Sequence, residues 1–298
     1  MSRVNRAVEL REQGQPVYYA GAGELTYENG RRQAQAWADI LLVDFEHSPF
    51  DVTGLRQFMA GLADGGPTNS GHRTPVVITT LPSNCKTRQE VEANSWQIRH
   101  VLAAGVHGIL HTHARTPDAV RAFVESCRYA FQTIGAGGEL GRGQRGAGGQ
   151  GGPAKVWGVS AEQYVRIADP WPLNPDGELM LGLKIEDHHS LALVDEMAAV
   201  PGIAFMEAAP GDMGMSFGDP DAHDPPYSDE MNDARDRIRA ACEKAGIAFY
   251  PGSWNDPSMS EADRVKFLIE EIGGTIMRAP TREFASAGRA LTGRKMPV

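Results

Sequence analysis

Eight short and nearly continuous apolar runs, separated by segments of helical spacing, constrain this chain more than any other feature. The runs fall at residues 16–22, 40–46, 75–80, 108–113, 180–186, 203–208, 247–251 and 275–278. Strands that alternate apolar and polar residues keep one face in water. Continuous apolar runs predict parallel strands buried on both faces. The intervening stretches 117–129, 190–199, 229–245 and 260–272 carry helical spacing. Thr116 followed by Pro117 reads as an N-cap with proline at the first helical position. Ser260 with Asp263 three residues on is a weaker capping signal. Eight strands alternating with helices over about 250 residues predict an α/β chain folded as a single (β/α)8 TIM barrel domain spanning residues 1–298. A doubly wound open sheet has the same local signature. Its usual phosphate-binding motifs, GxGxxG or GxxxxGK[ST] after a strand, are not found in the right context.

A hydrophobic content of 41% supports a large core. The net charge of −9 argues against nucleic acid or an anionic membrane surface as the main partner. No apolar run approaches the roughly 20 residues that span a bilayer. The start of the chain, Met1-Ser-Arg-Val-Asn-Arg, lacks the apolar core of a signal peptide. Cys85, Cys127 and Cys242 are far apart, without metal-type spacing. An odd count without a leader predicts reduced thiols and a cytoplasmic location. One segment breaks the rhythm, the glycine-rich stretch at 135–152. Its composition predicts a flexible surface loop. The functional alternative is a mobile lid whose Arg142 or Arg145 meets an anionic substrate.

Carboxyl ends of barrel strands are the default positions for chemistry. They hold Glu46 and His47, Thr79 and Thr80, His111 and His113, Lys184 and Glu186, and Asp212, with Trp254 just past the seventh run. Glu186 and Asp212 end neighbouring strands, and two carboxylates so placed suit a hard divalent cation such as Mg²⁺ or Mn²⁺. The bland alternative is that each caps a following helix. His47 is a candidate acid/base, because imidazoles titrate near neutral pH. His111 and His113 are expected to share a face, since the side-chain period of a strand is two. With His47 they could form a zinc-type site, but polar pocket lining or substrate contact is the favoured expectation. Lys184 lies on the same face as Glu186. An ion pair or anion binding is favoured there over Schiff-base chemistry. Gly211, beside Asp212, joins His111, His113, Lys184 and Arg145 as a candidate substrate contact.

The string Ile40-Leu-Leu-Val-Asp-Phe-Glu-His-Ser-Pro49 resembles a signature of the metal-dependent 2-oxo-acid aldolases of the 4-hydroxy-2-oxoheptanedioate type, to which macrophomate synthase is related. Lys184-Ile-Glu-Asp is similar to the strand carrying that family's metal glutamate, and Ala209-Pro-Gly-Asp-Met-Gly-Met-Ser-Phe-Gly218 to the segment carrying its metal aspartate. The order holds from about Asn5 to Ala279. The resemblance implies a barrel of the phosphoenolpyruvate/pyruvate type and a homo-oligomer, trimer or hexamer. It also implies a Mg²⁺, Mn²⁺ or Co²⁺ ion on Glu186 and Asp212, and a 2-oxo acid or aldol substrate. His47 would serve the aldol hydroxyl as acid/base. The chain departs from the pattern in four places, one of them the end of the fourth strand, where His111-Thr-His113 stands in place of an apolar, proline-containing segment. The third strand, Pro75-Val-Val-Ile-Thr-Thr-Leu-Pro82, has no arginine; Leu102-Ala-Ala-Gly105 has no acid; and Lys184 stands where relatives often have glutamine. The leading expectation is a metal-dependent carbon–carbon lyase with a rebuilt site. The alternatives are a metal-dependent hydrolase or decarboxylase using the histidines, and a barrel without catalysis.

Overall fold

The computed structural model describes residues 3–83 and 85–298. Nine strands form in chain order: β1 Val17–Gly21, β2 Ile40–Val43, β3 Val76–Thr79, β4 Gly108–His111, β5 Pro170–Trp171, β6 Leu179–Ile185, β7 Phe205–Ala208, β8 Ala248–Tyr250 and β9 Ile276–Arg278. They run β8-β7-β6-β4-β3-β2-β1-β9, every neighbouring pair parallel, with the two-residue β5 attached to β6 outside this path. The eight predicted runs are thus the eight staves of a (β/α)8 barrel. Thr275 closes the seam between β8 and β9. Its N–H donates to the Phe249 carbonyl at 2.9 Å, and its hydroxyl accepts the Phe249 N–H at 2.9 Å.

Buried side chains divide into two sets, as alternation along each strand requires. Tyr19, Ile40, Val76, Leu110, Met180, Phe205, Ala248, Tyr250 and Ile276 pack together with Ala7, Val8 and Leu10 of the first helix, Arg6–Glu12. That helix plugs the amino end of the barrel. Leu41, Val77, Ile109, Leu181 and Met206 instead pack outward against the helix layer. Thr116 caps helix Pro117–Cys127 by accepting the Ala119 N–H, and Ser260 caps helix Glu261–Glu270. The stretch expected as one helix at 190–199 is two short ones, His188–Ala192 and Val194–Ala198. No described helix is long and apolar enough to cross a membrane.

The glycine-rich segment follows helix Pro117–Cys127, which starts at the carboxyl end of β4 and runs back toward the amino end. It therefore lies at the face opposite the strand carboxyl ends, and it is not a lid over them. Leu140 is buried, and the Arg145 amide donates to the Arg128 carbonyl. Below it, Arg128 makes a fully buried bidentate pair with Asp169, at 2.7 and 3.0 Å.

Candidate metal centre at the barrel mouth

Four side chains from four strand ends meet at the carboxyl face. Glu46 follows β2, His113 follows β4 and Glu186 follows β6. Asp212 lies in the first turn of helix Pro210–Phe217, after β7. One ligand atom from each lies within 4.8 Å of the other three. Trans ligands of an octahedral ion stand about 4.2 Å apart at metal–oxygen distances of about 2.1 Å, so small rotamer changes bring this set to coordination distance.

Local chemistry explains each placement. The Thr80 hydroxyl donates to Asp44 Oδ1 at 2.9 Å and accepts the N–H groups of Phe45 and Glu46. Asp44 Oδ1 also accepts the Glu46 N–H at 3.0 Å, so this turn is pinned where Glu46 leaves β2. The neighbouring Thr79 hydroxyl is buried without a partner among the described residues. Glu186 does not cap the helix that follows it; Asp187 does, accepting the Ser190 N–H at 2.8 Å. Glu186 is left free to face the mouth, which removes the capping alternative for it. His113 is the one described non-glycine residue with a left-handed backbone, φ +57°. Such a conformation costs about 1–3 kcal/mol and is held only where surroundings enforce it. Here it aims the His113 N–H at Glu186 Oε1, 2.5 Å away. The ring sits between two carboxylates, with Nδ1 3.2 Å from Glu186 Oε1 and Nε2 3.3 Å from Glu46 Oε1.

That backbone twist separates two histidines expected to share a face. Strand parity turns His111 outward, where it stacks on Phe123 at 4.6 Å and reaches the Cys85 carbonyl. Burial pushes its pKa down to about 4. His111 is a neutral core histidine, away from the mouth. Arg145 is likewise misplaced as a substrate contact. It is buried at the opposite face, 4.1 Å over the Tyr129 ring, and donates to the Tyr129 and Tyr164 hydroxyls. His47 does stand at the mouth, with its side chain 64% exposed and Nε2 3.6 Å from Glu46 Oε2. The three histidines do not assemble into a cluster of their own.

Lys184 neutralises part of this acidity. Its Nζ lies 2.7 Å from Glu46 Oε2 and 3.2 Å from Glu186 Oε2. Burial opposes its charge, but Glu207, Glu186 and Glu46 together hold its pKa above the ordinary value. These contacts match the ion-pair role expected of Lys184. The two neighbouring carboxyls are driven apart. Burial opposes ionisation of Glu46, yet His113 and Lys184 hold it down to about 2. Glu186 is raised by burial, against the pull of Lys184 and His113. His113 is raised by its bond to Glu46, against burial. One oxygen of each carboxylate, Glu46 Oε1 and Glu186 Oε2, is buried without a hydrogen bond among the described residues. The Lys184 contact to Glu186 Oε2 is an ion-pair distance only. Three carboxylates and an imidazole that offer ligand atoms within 4.8 Å of one another are a donor set that fits a divalent ion.

Below the mouth lies a polar layer that the apolar runs concealed. Lys184, Glu207 and Tyr250 are register partners across β6, β7 and β8. The Tyr250 hydroxyl is hydrogen-bonded to that of Tyr19 on β1, and the rings meet edge to face at 5.3 Å. Barrel interiors are ordinarily filled by branched apolar side chains. The one signal in the sequence was an acid at an inward position of an otherwise apolar run. Burial raises the Glu207 pKa from 4.5 to about 7, partly offset by Lys184. The folded state therefore holds this proton more tightly than the unfolded chain. Stability from this group is full below about pH 4.5 and declines as pH rises through about 7. Glu207→Gln should flatten the fall in melting temperature between pH 5 and pH 8, read by calorimetry at both values.

A model of the HpcH/HpaI aldolase/citrate lyase family matches residues 30–265. A hydroxypyruvate/pyruvate aldolase of Deinococcus radiodurans is 29% identical over 216 residues, covering 72% of this chain and 65% of that protein. The match therefore spans less than two thirds of that relative. An HpcH/HpaI aldolase/citrate lyase family protein from Burkholderia cenocepacia J2315 superposes with a TM-score of 0.67 at 20% identity, over 97% of both chains. Macrophomate synthase superposes with a TM-score of 0.66 at 18% identity, over 98% of this chain and 87% of that one. At such identities the structures speak for the fold alone. The family match covers most of the chain, from the second helix to the last but one, and it places this protein in the HpcH/HpaI aldolase/citrate lyase family.

Proposed function

We propose that this protein is a divalent-metal-dependent carbon–carbon lyase that breaks or forms the bond beside the enolate of a 2-oxo acid. The observation that carries the proposal is the convergence of Glu46, His113, Glu186 and Asp212 on one point. Glu186 and Asp212 would hold the ion. Mg²⁺, Mn²⁺ and Co²⁺ all accept such oxygen donors, and the nearby imidazole favours the latter two. A bound ion would supply Lewis-acid polarisation of the keto and carboxylate oxygens of the substrate.

The chain's own residues do the rest. His47, exposed at the rim, takes the proton of the aldol hydroxyl when the bond breaks and returns it when the bond forms. Glu46 stays ionised and anchors Lys184 and His113 from one side, so both keep their positions as substrate enters. Lys184 offers a fixed positive charge near substrate oxygens, in a site that lacks the third-strand arginine of relatives. The hydrolase alternative required a histidine cluster, and its basis is lost with His111 buried in the helix layer. The non-catalytic alternative fits poorly with a four-donor cluster gathered at the strand carboxyl ends.

Purified protein should cleave 4-hydroxy-2-oxo acids, read as released pyruvate, with Mg²⁺, Mn²⁺ or Co²⁺ and not after chelation. Inactivity with all three ions across a panel of such acids would sink the proposal. His47→Gln should lower kcat by about 10²–10⁴-fold while leaving the Mn²⁺-induced thermal shift intact. Loss of that shift would make His47 a ligand rather than the acid/base.

A further inference from the structure

Beside the four-donor cluster, on the same face, lies a second cavity of about 560 Å³. Its lining includes His223, Asp224, Ser253, Trp254, Arg264 and Arg278. Every one of these residues sits at the carboxyl face. His223 belongs to the segment after β7, Ser253 and Trp254 follow β8, Arg264 is in the first turn of helix Glu261–Glu270, and Arg278 ends β9. Its His223 side lies next to Gly211, the residue before Asp212. A Cβ built on Gly211, the neighbour of Asp212, would stand 3.8 Å from His223 Cβ.

Two arginines line the cavity, Arg264 buried and Arg278 exposed at the rim. Arg264 is 7% exposed, yet its Nε is buried without a partner among the described residues. Its nearest carboxylate, Glu261, is 4.0 Å away, at the limit of an ion pair, and Glu261 already accepts the Thr281 hydroxyl. The guanidinium otherwise lies 5.6 Å over the Phe284 ring. Arg278 follows Ile276 by two positions. Ile276 packs inside the barrel, so parity points Arg278 inward at the rim. Its one contact is a long one, 3.5 Å from Nη1 to Ser253 Oγ, and no described carboxylate pairs with it. Trp254 Nε1 is also buried without an acceptor. The one acid in the lining, Asp224, is engaged by His223 Nδ1 at 3.0 Å. Buried donors without acceptors are rare, and guanidinium forks fit carboxylate and phosphate oxygens. Loops after the last two strands of barrels are a recurrent place for such anions.

We propose that this cavity binds an oxyanion, a carboxylate or phosphate at the end of the substrate remote from the reacting carbon, with Arg264 and Arg278 as its cations. The identification of that anion as part of the substrate rests on the lyase reading; the anion site itself does not. It makes the enzyme selective for acceptor aldehydes that carry a terminal negative charge.

The test has two parts. Inorganic phosphate and succinate are titrated calorimetrically into the wild type, Arg278→Gln and, as a control on the same helix as Arg264, Lys266→Gln. Arg278→Gln should weaken binding of the preferred anion about 10- to 100-fold, and Lys266→Gln should leave it unchanged. The second part compares kcat/KM in the condensation direction for D-glyceraldehyde 3-phosphate against D-glyceraldehyde, and for 5-oxopentanoate against pentanal. The charged member of one pair should win, which tells phosphate from carboxylate, and Arg278→Gln should erase the preference with little change for the neutral aldehydes. Equal anion affinity in wild type and Arg278→Gln, or no saturable binding of either probe, overturns the site. A protein that binds phosphate through Arg278 but turns over none of the aldehydes keeps the site and loses the lyase reading.

Discussion

Glu186→Gln should cost activity on the order of 10³-fold and remove the stabilisation that Mn²⁺ confers. The substitution keeps the volume of the side chain and its ability to accept the His113 N–H, which now lies 2.5 Å from Glu186 Oε1. What it removes is one negative charge at the most buried corner of the cluster. Lys184, 3.2 Å from Glu186 Oε2, then faces one fewer anion, and its charge repels an incoming ion more strongly. A ligand at 100 times its dissociation constant stabilises the fold by about 2.7 kcal/mol, so the wild type should show a clear Mn²⁺-dependent rise in melting temperature. Glu186→Gln should show little or none at the same concentration. Elemental analysis of both proteins checks the same point without an activity assay. A variant that retains the metal and the thermal shift would move the centre to Glu46, His113 and Asp212.

The second large effect is on stability, at the far end of the barrel. Asp39 is fully buried ahead of β2 and serves three guanidinium groups. Arg294 binds it bidentately at 2.7 and 2.8 Å, Arg289 approaches to 3.6 Å and Arg6 to 3.8 Å, while the Tyr18 N–H donates at 2.9 Å. This one carboxylate ties the first helix and the residues after the last helix to the amino end of the barrel. Asp39→Asn leaves those cations in place with no anion among them. Burial, together with the charges of Arg294 and Arg289, already lowers Arg6 to about 10, even with Asp39 present. Removing one partner of a buried pair costs about 3–5 kcal/mol, and a loss of that size should appear in urea unfolding as a lower midpoint with an unchanged slope. The pH dependence has a definite sign. Burial opposes ionisation of Asp39, but Arg294 and Arg6 hold its pKa below 3.8. Its stabilisation is present above that value and is lost as pH falls through the lower folded pKa. The wild type should therefore lose stability below about pH 4 along a limb that Asp39→Asn lacks. An unfolding midpoint for the variant within error of the wild type would show that the arginines relax into water instead.

Much of the barrel was legible because its signals are local. A strand buried on both faces must be apolar along its length, and all eight runs became staves. The caps at Thr116 and Ser260 follow from hydrogen bonds between residues three apart, which need no knowledge of the rest of the chain. The strand-end rule brought Glu186, Asp212, Lys184, His113 and His47 to one mouth. It failed at His111 because parity along a strand says nothing about a residue just beyond it. His113 leaves β4 with φ +57°, and that single rotation sends the two histidines to opposite sides of the barrel wall. Arg145 failed for another reason. Glycine-rich composition predicts mobility, but it cannot reveal that Tyr129 and Tyr164 supply a stack and two hydroxyls to bury a guanidinium.

The sequence by itself determined which segments are buried strands, which are helices, and which residues end each strand, since these depend on neighbours within a turn or two. Only the tertiary structure decided which of those ends face one another. Glu46 and Glu186 are 140 positions apart in the chain, and the Lys184 ammonium joins them at 2.7 and 3.2 Å. Glu207 became a partner of Lys184, Tyr250 and Tyr19 because barrel closure sets their register across strands, a distance no local pattern encodes. The unpartnered Nε of Arg264 was hidden for the same reason. An arginine on a helix reads as solvated until the packing around it shows that it is buried, with its nearest acid only at the limit of an ion pair.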